Sequence, residues 1–135
     1  MAGIHSFKAE GRQFSTYMGD AANPRAGFAE IAKLIGPAIS STMGAGVVTY
    51  RRLTAPWALP FDEVVVILAG AMRVISDGTV HQAGPGDVLF FPKETPLTYE
   101  VDDEVTLFYV KYPVDLTAAV PQTHGLPSPG KANKA

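Results

Sequence analysis

Short runs of β-branched and aromatic residues, separated by glycine and proline, fill residues 61–112 and constrain the fold more than any other feature. Asp77-Gly78 lies between two such runs and is the strongest signal for a tight hairpin turn. That pairing predicts that His81 faces Val74, as a residue of the sheet rather than a ligand. Gly84-Pro85-Gly86-Asp87 marks another sharp corner. The predicted strands are 61–68, 71–76, 79–82, 88–91, 97–101 and 105–112. Short strands at even spacing predict an all-β fold, either an antiparallel sandwich or a barrel.

Length and charge narrow the class of protein. A chain of 135 residues is expected to form one domain. Its net charge of −2, without a long block of one sign, disfavours a nucleic-acid partner, because phosphate binding needs a basic surface. No run reaches the roughly 18 apolar residues of a membrane span, and residues 1–14 lack the hydrophobic region of a secretion signal. We therefore expect a cytoplasmic protein without a membrane partner, and the absence of cysteine excludes disulfides and thiol chemistry.

The N-terminal third is less regular, and two interpretations stay open for part of it. Residues 15–20 fit either an edge strand or an arm. Asn23-Pro24 is typical of a helix start, and the apolar residues of 28–35 fit one helical face. A strand over 29–35 fits the same residues. The remaining predictions here are a loop over 39–46, with Gly44-Ala45-Gly46 as a turn, and a strand over 47–53.

Prolines limit two further segments. Trp57 lies between Pro56 and Pro60, so this segment is predicted to be extended and cannot be a central strand of a sheet. The end of the chain is rich in proline and is predicted to be an arm or disordered. The predicted organisation is an N-terminal arm with the first strands (1–42), a core (43–113) and a Pro-rich C-terminal tail (114–135).

Two spaced motifs resemble those of a known superfamily. Glu63, followed after six residues by Gly70, resembles the end of the first cupin motif, and Gly86-Asp87, followed after four residues by Pro92, resembles the start of the second. The chain more closely resembles the cupin of the ethanolamine-utilisation protein Q family, over about residues 43–113. The segments that carry this EutQ-like resemblance are Ala45-Gly46, 57–63, 84–88 and 109–113. The resemblance implies a cupin, an RmlC-like jelly-roll β-barrel.

The chain departs from the general cupin pattern at the metal ligands. The resemblance assigns the paired histidines to residues 56–59, the third histidine to Leu97 and a motif glycine to Glu94. Of the expected ligands Glu63 alone is present, whereas a divalent first-row metal needs about three or four nitrogen, oxygen or sulfur ligands. We therefore expect no metal site, no cofactor and no three-histidine dioxygenase chemistry.

The alternation of side chains along a strand selects the candidate catalytic residues. If Glu63 points inward, as the resemblance implies, Val65 and Ile67 share its face. Tyr99 would face the same apolar interior from its own strand. Because burial raises the pKa of a carboxyl group, Glu63 could act as general acid or base, and we predict Glu63 and Tyr99 as catalytic residues. A structural Glu63 that bonds to backbone or tyrosine fits the same residues.

Four more residues are candidates for substrate binding: Trp57, Arg51, Tyr109 and Lys111. Trp57 would cover the barrel mouth or act as a packing anchor. Arg51 and Arg52 lie on opposite strand faces, so at most one enters the barrel, where it could hold a carboxylate or phosphate. Lys111 shares a face with Tyr109, and it could approach the mouth or lie on the surface.

Two classes of function stay open, so the sequence does not decide whether the chain is an enzyme. The first is an enzyme that acts on a small oxygenated metabolite, as a lyase or isomerase with Glu63 as base and Tyr99 as acid. The resemblance also implies acetate kinase-like phosphoryl transfer, although the sequence has no phosphate-cradling loop leading to a Lys-Ser/Thr helix. The second class is a non-catalytic module for ligand binding or assembly. The resemblance further implies a homodimer, because many cupins exchange N-terminal strands.

Overall fold

The computed structural model describes residues 3–20 and 22–114, which form ten β-strands and one 3₁₀ helix. The elements are β1 (Ser15–Gly19), the 3₁₀ helix (Pro24–Ala26), β2 (Phe28–Ile35), β3 (Gly44–Arg51), β4 (Thr54–Trp57), β5 (Asp62–Gly70), β6 (Met72–Ser76), β7 (Thr79–Ala83), β8 (Val88–Phe91), β9 (Leu97–Glu100) and β10 (Glu104–Tyr112). The all-β prediction is confirmed.

The strands form two antiparallel sheets that pack face to face. The larger sheet has the order β1-β2-β3-β10-β5-β8, and the smaller has the order β4-β9-β6-β7. One cluster of buried apolar side chains lies between the sheets and draws on strands of both. Within the described residues the two ladders stay separate, so the predicted jelly-roll architecture is an open sandwich rather than a closed ring of strands.

Strand β10 determines which side chains of the larger sheet face inward. It pairs with β3 on one side and β5 on the other, and its buried residues alternate with less buried ones. Neighbours across these ladders share a face. The inward sets that matter below are Gly44, Lys111 and Glu63 in one row, and Gly46, Tyr109 and Val65 in the next.

The two sharp corners of the central segment are confirmed. Asp77 and Gly78 have φ angles of 51° and 77°, and a type I′ turn requires positive φ at both positions. His81 lies opposite Val74, as the hairpin pairing predicts. At the second corner the Gly84 N–H donates to the Asp87 carboxylate at 2.8 Å, and the Asp87 N–H donates to the Gly84 carbonyl at 2.9 Å.

The structure decides both open interpretations of the N-terminal third in favour of strands. Residues 15–19 form β1, at one edge of the larger sheet, and residues 28–35 form β2, which pairs with β1 and β3. Phe28 and Ala29 are adjacent and both buried, so β2 is covered on both faces. Because both faces are apolar, the alternation expected of a half-buried strand is lost. The predicted helix start yields only the 3₁₀ helix Pro24–Ala26.

The predicted turn at Gly44-Ala45-Gly46 is wrong, because these residues begin β3. A Cβ on Gly46 would lie 2.7 Å from the Ala32 carbonyl oxygen and 2.8 Å from the Tyr109 hydroxyl. Glycine is needed here for close packing beside an inward tyrosine, not for a turn. By contrast, the prediction that the Pro56 segment is not a central strand is confirmed, because β4 lies at an edge of the smaller sheet.

Two predictions concern the ends of the chain and the membrane. The predicted tail 114–135 lies outside the described residues apart from Val114, which is buried and whose N–H donates to the Thr42 carbonyl at 2.7 Å. Among the residues that the structure describes, no helix has the length and apolar character needed to cross a bilayer.

Candidate functional site

Glu63 is an acid buried in the apolar space between the sheets. It lies on the inward face of β5, opposite Lys111 of β10 and Phe91 of β8, and only 1% of its surface is exposed. Burial raises the pKa of this carboxyl group well above its ordinary value, and the charge of Lys111 opposes that rise. The balance between protonated and ionised Glu63 therefore depends on the charge of its cross-strand neighbour, Lys111.

Lys111 is a buried cation beside this acid. It is 5% exposed, and its Nζ lies 5.1 Å from the centroid of the Phe61 ring, within the range of a cation–π contact. Burial lowers the pKa of Lys111 to about 8, while Glu63 acts to raise it and Lys33 adds to the lowering. Gly44 lies directly opposite, where an added Cβ would be 2.6 Å from the lysine Cε. The glycine therefore provides the space that the lysine side chain occupies.

Four tyrosines surround the acid: Tyr17, Tyr50, Tyr99 and Tyr109. Burial is the main cause that raises the pKa of each phenol, and the charge of Glu63 raises it further in all four. Tyr50, Tyr99 and Tyr109 belong to the cluster of buried side chains between the sheets, and Tyr17 packs against that cluster. At neutral pH all four phenols keep their protons and can donate hydrogen bonds.

Tyr99 reaches this region from the smaller sheet and is held by aromatic packing. Its ring centroid lies 5.4 Å from that of Tyr50, in an edge-to-face arrangement, and 6.0 Å from those of Trp57 and Phe91. Trp57 is 3% exposed, so it is a wall of the interior, in line with the packing-anchor interpretation. Trp57 also lines a cleft of about 320 Å³ between β1 and β4, so this buried side chain lies between the interior and the cleft.

Arg51 does not join the other candidates. Its neighbour Tyr50 faces inward, so Arg51 lies on the outer face of β3, where its guanidinium contacts Glu30 at 3.0 Å and Glu104 at 3.3 Å. It also covers the Phe28 ring at 5.0 Å from the centroid. The charge of Arg51 is thus paired outside the interior that holds Glu63, and the substrate-binding role of Arg51 stays a prediction.

Comparison with known proteins identifies the family. Residues 1–118 match the family model described as ethanolamine utilisation protein EutQ. The chain belongs to the EutQ family. It is 32% identical over 76 residues to the acetate kinase EutQ of Clostridioides difficile (strain 630), an alignment that covers 56% of this chain and 48% of that protein. It is also 32% identical over 75 residues to the acetate kinase EutQ of Escherichia coli (strain K12), covering 56% of this chain and 32% of that protein. The chain thus spans half or less of the length of these curated relatives.

Solved structures agree with this EutQ assignment. The Clostridium difficile EutQ structure superposes with a TM-score of 0.65 at 28% identity, covering 73% of this chain and 78% of that one. An RmlC-like cupin from Shewanella frigidimarina NCIMB 400 gives the same TM-score at 14% identity, covering 85% and 96%, which is a likeness of fold alone. The predicted cupin fold and the predicted EutQ-like resemblance are confirmed.

The described part of the interior of this EutQ-family cupin does not offer the donor set of a cupin metal centre. Leu97 stands where the resemblance assigns a histidine, and it is buried in the apolar core. Around Glu63 lie phenols and the ammonium of Lys111, which are poor ligands for a divalent first-row metal. In residues 3–20 and 22–114, no group of three His, Cys, Asp or Glu side chains is placed to hold a metal ion.

Two site residues were missed at the sequence level. Tyr50 alternates with Arg51 in a predicted strand, so the same parity argument that placed Glu63 could have found it. Tyr17 has no such signal. Its strand changes register against β2 between Thr16 and Met18, and a bulge of this kind redirects one side chain in a way that alternation does not predict.

Proposed function

We propose that this EutQ-family cupin transfers protons on a small oxygenated metabolite, as a lyase or isomerase, with Glu63 as base and Tyr99 as acid. The observation that carries the proposal is the burial of Glu63 beside Lys111 inside a tyrosine-lined interior. An ionised carboxylate in apolar surroundings is a stronger base than one in water, because it has lost solvation. A positioned general base of this kind contributes about 10²–10⁴-fold to a rate.

Lys111 supports the base role through its charge. As the cross-strand neighbour of Glu63, its ammonium favours the ionised carboxylate that must accept a proton. Its own pKa, about 8, keeps a large share of the cation at neutral pH. Tyr109 and Trp57 would complete the walls against which a small substrate lies, and the cleft between β1 and β4 is the route of entry that we propose.

Proton exchange tests the proposal on a whole class of compounds, so the substrate itself need not be identified first. We expect the protein, in D₂O, to replace the α-protons of at least one short aldehyde, ketone or hydroxy acid with deuterium, followed as loss of the ¹H NMR signal. Buffer alone and heat-denatured protein are the controls. If no compound exchanges but one raises the melting temperature, the non-catalytic binding module is the better description.

Acetate kinase activity is the second candidate, favoured by the names of the curated relatives. Against it, two of the cations that could hold phosphate are already in ion pairs: Arg51 with Glu30 and Glu104, and Arg73 with Asp102 at 2.7 Å. Acetyl phosphate that forms only with ATP and acetate together would favour this candidate over proton transfer.

We also propose a homodimer that forms through the outer face of the larger sheet near its β8 edge. Phe90 of β8 lies opposite Val64 of β5, and Val88 lies opposite Val66; Phe90 and Val88 are 58% and 61% exposed. Among the described residues β8 pairs on one side only, so its other edge adds backbone hydrogen-bonding groups to this apolar surface. A second copy would cover both features at once.

A charge placed on this surface tests the dimer. We expect Phe90→Lys to shift the sedimentation coefficient from dimer to monomer at micromolar concentration, because a buried lysine without a partner opposes association. Val80→Lys is the matched control, since Val80 is 52% exposed but lies on β7 of the other sheet. Wild-type protein that sediments as a monomer would refute the proposal.

A further inference from the structure

Two buried phenols face each other across the sandwich, and the mechanism above uses only one of them. Tyr50 projects from β3 of the larger sheet, and Tyr99 projects from β9 of the smaller one. Their exposures are 0% and 1%, and their ring centroids are 5.4 Å apart at an interplanar angle of 86°. Neither hydroxyl has a hydrogen-bond partner among the described residues.

Both hydroxyls lower the stability of the fold, and packing of the core does not require them. A phenylalanine would fill nearly the same volume without a buried polar atom, and a buried hydroxyl without a partner destabilises a fold. The rings are well fixed: Trp57 and Phe91 pack on Tyr99, and Val105 lies beside Tyr50 in the register of β10 and β3. Two fixed donors that lack acceptors among the described residues point to an acceptor supplied by a ligand.

The surroundings limit the chemistry of that acceptor. A carbonyl oxygen has two lone pairs, so it can accept from two phenols at once. Glu63 lies opposite Phe91, whose ring centroid is 6.0 Å from that of Tyr99, so its carboxylate enters the interior beside these phenols. An oxygen already charged in the bound substrate would be repelled by the ionised base, whereas a neutral carbonyl oxygen gains charge only as the proton is removed.

We propose that Tyr50 and Tyr99 together hold the carbonyl oxygen of a small aldehyde or ketone whose α-carbon faces Glu63. This inference rests on the proton transfer proposed above and names its substrate class. The Glu63 carboxylate takes the α-proton, the C–H electron pair forms the new C=C bond, and the C=O π pair moves to the oxygen. The resulting enolate oxygen accepts hydrogen bonds from both phenols. Return of the proton from the Glu63 carboxylic acid to the α-carbon restores the carbonyl and regenerates the base, with no oxidant or reductant required.

The tests use Tyr50→Phe and Tyr99→Phe, which remove one hydroxyl each and keep the ring. We expect both variants to melt at or above the wild-type temperature, because the removed hydroxyls lack partners among the described residues. With acetone and glycolaldehyde as probes, we expect each variant to slow α-proton exchange by about 10²-fold, the usual effect of losing one donor to a developing oxyanion. Tyr112→Phe, at a half-exposed tyrosine, is the control and should leave exchange unchanged.

A binding readout keeps the two proposals separable. The ¹³C signal of carbonyl-labelled acetone should move downfield when wild-type protein is added, and it should move less with either phenylalanine variant. If wild-type protein exchanges protons and both variants match it, the carbonyl site is overturned while the proton-transfer function stands. If the carbonyl signal moves but no exchange occurs, the site stands and the proposed function fails. A carbonyl signal that does not move with wild-type protein overturns the site.

Discussion

Glu63→Gln is expected to lower α-proton exchange by about 10²-fold or more while the protein remains folded. The amide keeps the shape of the side chain but cannot accept the proton, so the effect falls on turnover rather than on packing. Exchange rates from ¹H NMR in D₂O measure the loss of turnover, and circular dichroism shows that the variant remains folded. Glu104→Gln is the matched control, because Glu104 pairs with Arg51 away from the interior. Turnover that survives in Glu63→Gln would remove the base role from this residue.

The same variant should change how stability depends on pH. Because the folded-state pKa of Glu63 is raised well above 4.5, its contribution is fully present below that pH and is lost as the pH rises through the folded pKa. Glu63→Gln cannot show this loss, so its urea midpoint should fall less between pH 4.5 and neutrality. Lys111 affects stability in another pH range, because folding lowers its pKa from 10.5 to about 8. Between these two pH values the unfolded chain binds more protons than the folded one, so stability rises with pH there.

The strands of the central segment could be predicted because their limits are set by local chemistry. A turn such as Asp77-Gly78 depends on the φ preferences of two adjacent residues, which any reader of the sequence can see. The limits of β2 could not be predicted in this way. Its apolar residues lie on two faces, one toward the core and one away from it. The hydrophobic pattern therefore shows neither the period of 2 of a half-buried strand nor the period of 3.6 of a helix.

Most of the interior site was within reach of the same alternation argument. Glu63, Tyr109 and Lys111 share an inward face because their strands are neighbours in register, and Tyr99 meets them from the other sheet. The outward direction of Arg51 was not predictable, because the choice between it and Arg52 needed the direction of Tyr50, which the neighbouring strands decide. The role of Tyr17 depends on a register shift between two strands, a long-range event without a local signature.

The second large prediction concerns the glycines of β3. Side chains from β10, a strand distant in sequence, lie where Cβ atoms at these positions would be. Gly46→Ala is expected to destabilise the protein by about 2 kcal/mol, within the usual range for an overpacked core. The added Cβ would meet the Ala32 carbonyl oxygen at 2.7 Å, and a backbone atom inside a sheet cannot move aside cheaply. The urea midpoint measures the loss, and the displaced Tyr109 should lower exchange activity in the same variant.

Gly44→Ala is the matched control for this substitution, two residues away on the same inward face. All three atoms nearest to its added Cβ belong to the Lys111 side chain, which is flexible and can shift. Alanine also reduces the conformational freedom of the unfolded chain, which offsets part of any strain. Gly44→Ala should therefore keep most of the stability while it moves Lys111 away from Glu63 and so raises the pH at which exchange begins. Equal destabilisation by the two substitutions would mean that strand glycines are required here for their backbone alone, and not for the side chains that cross them.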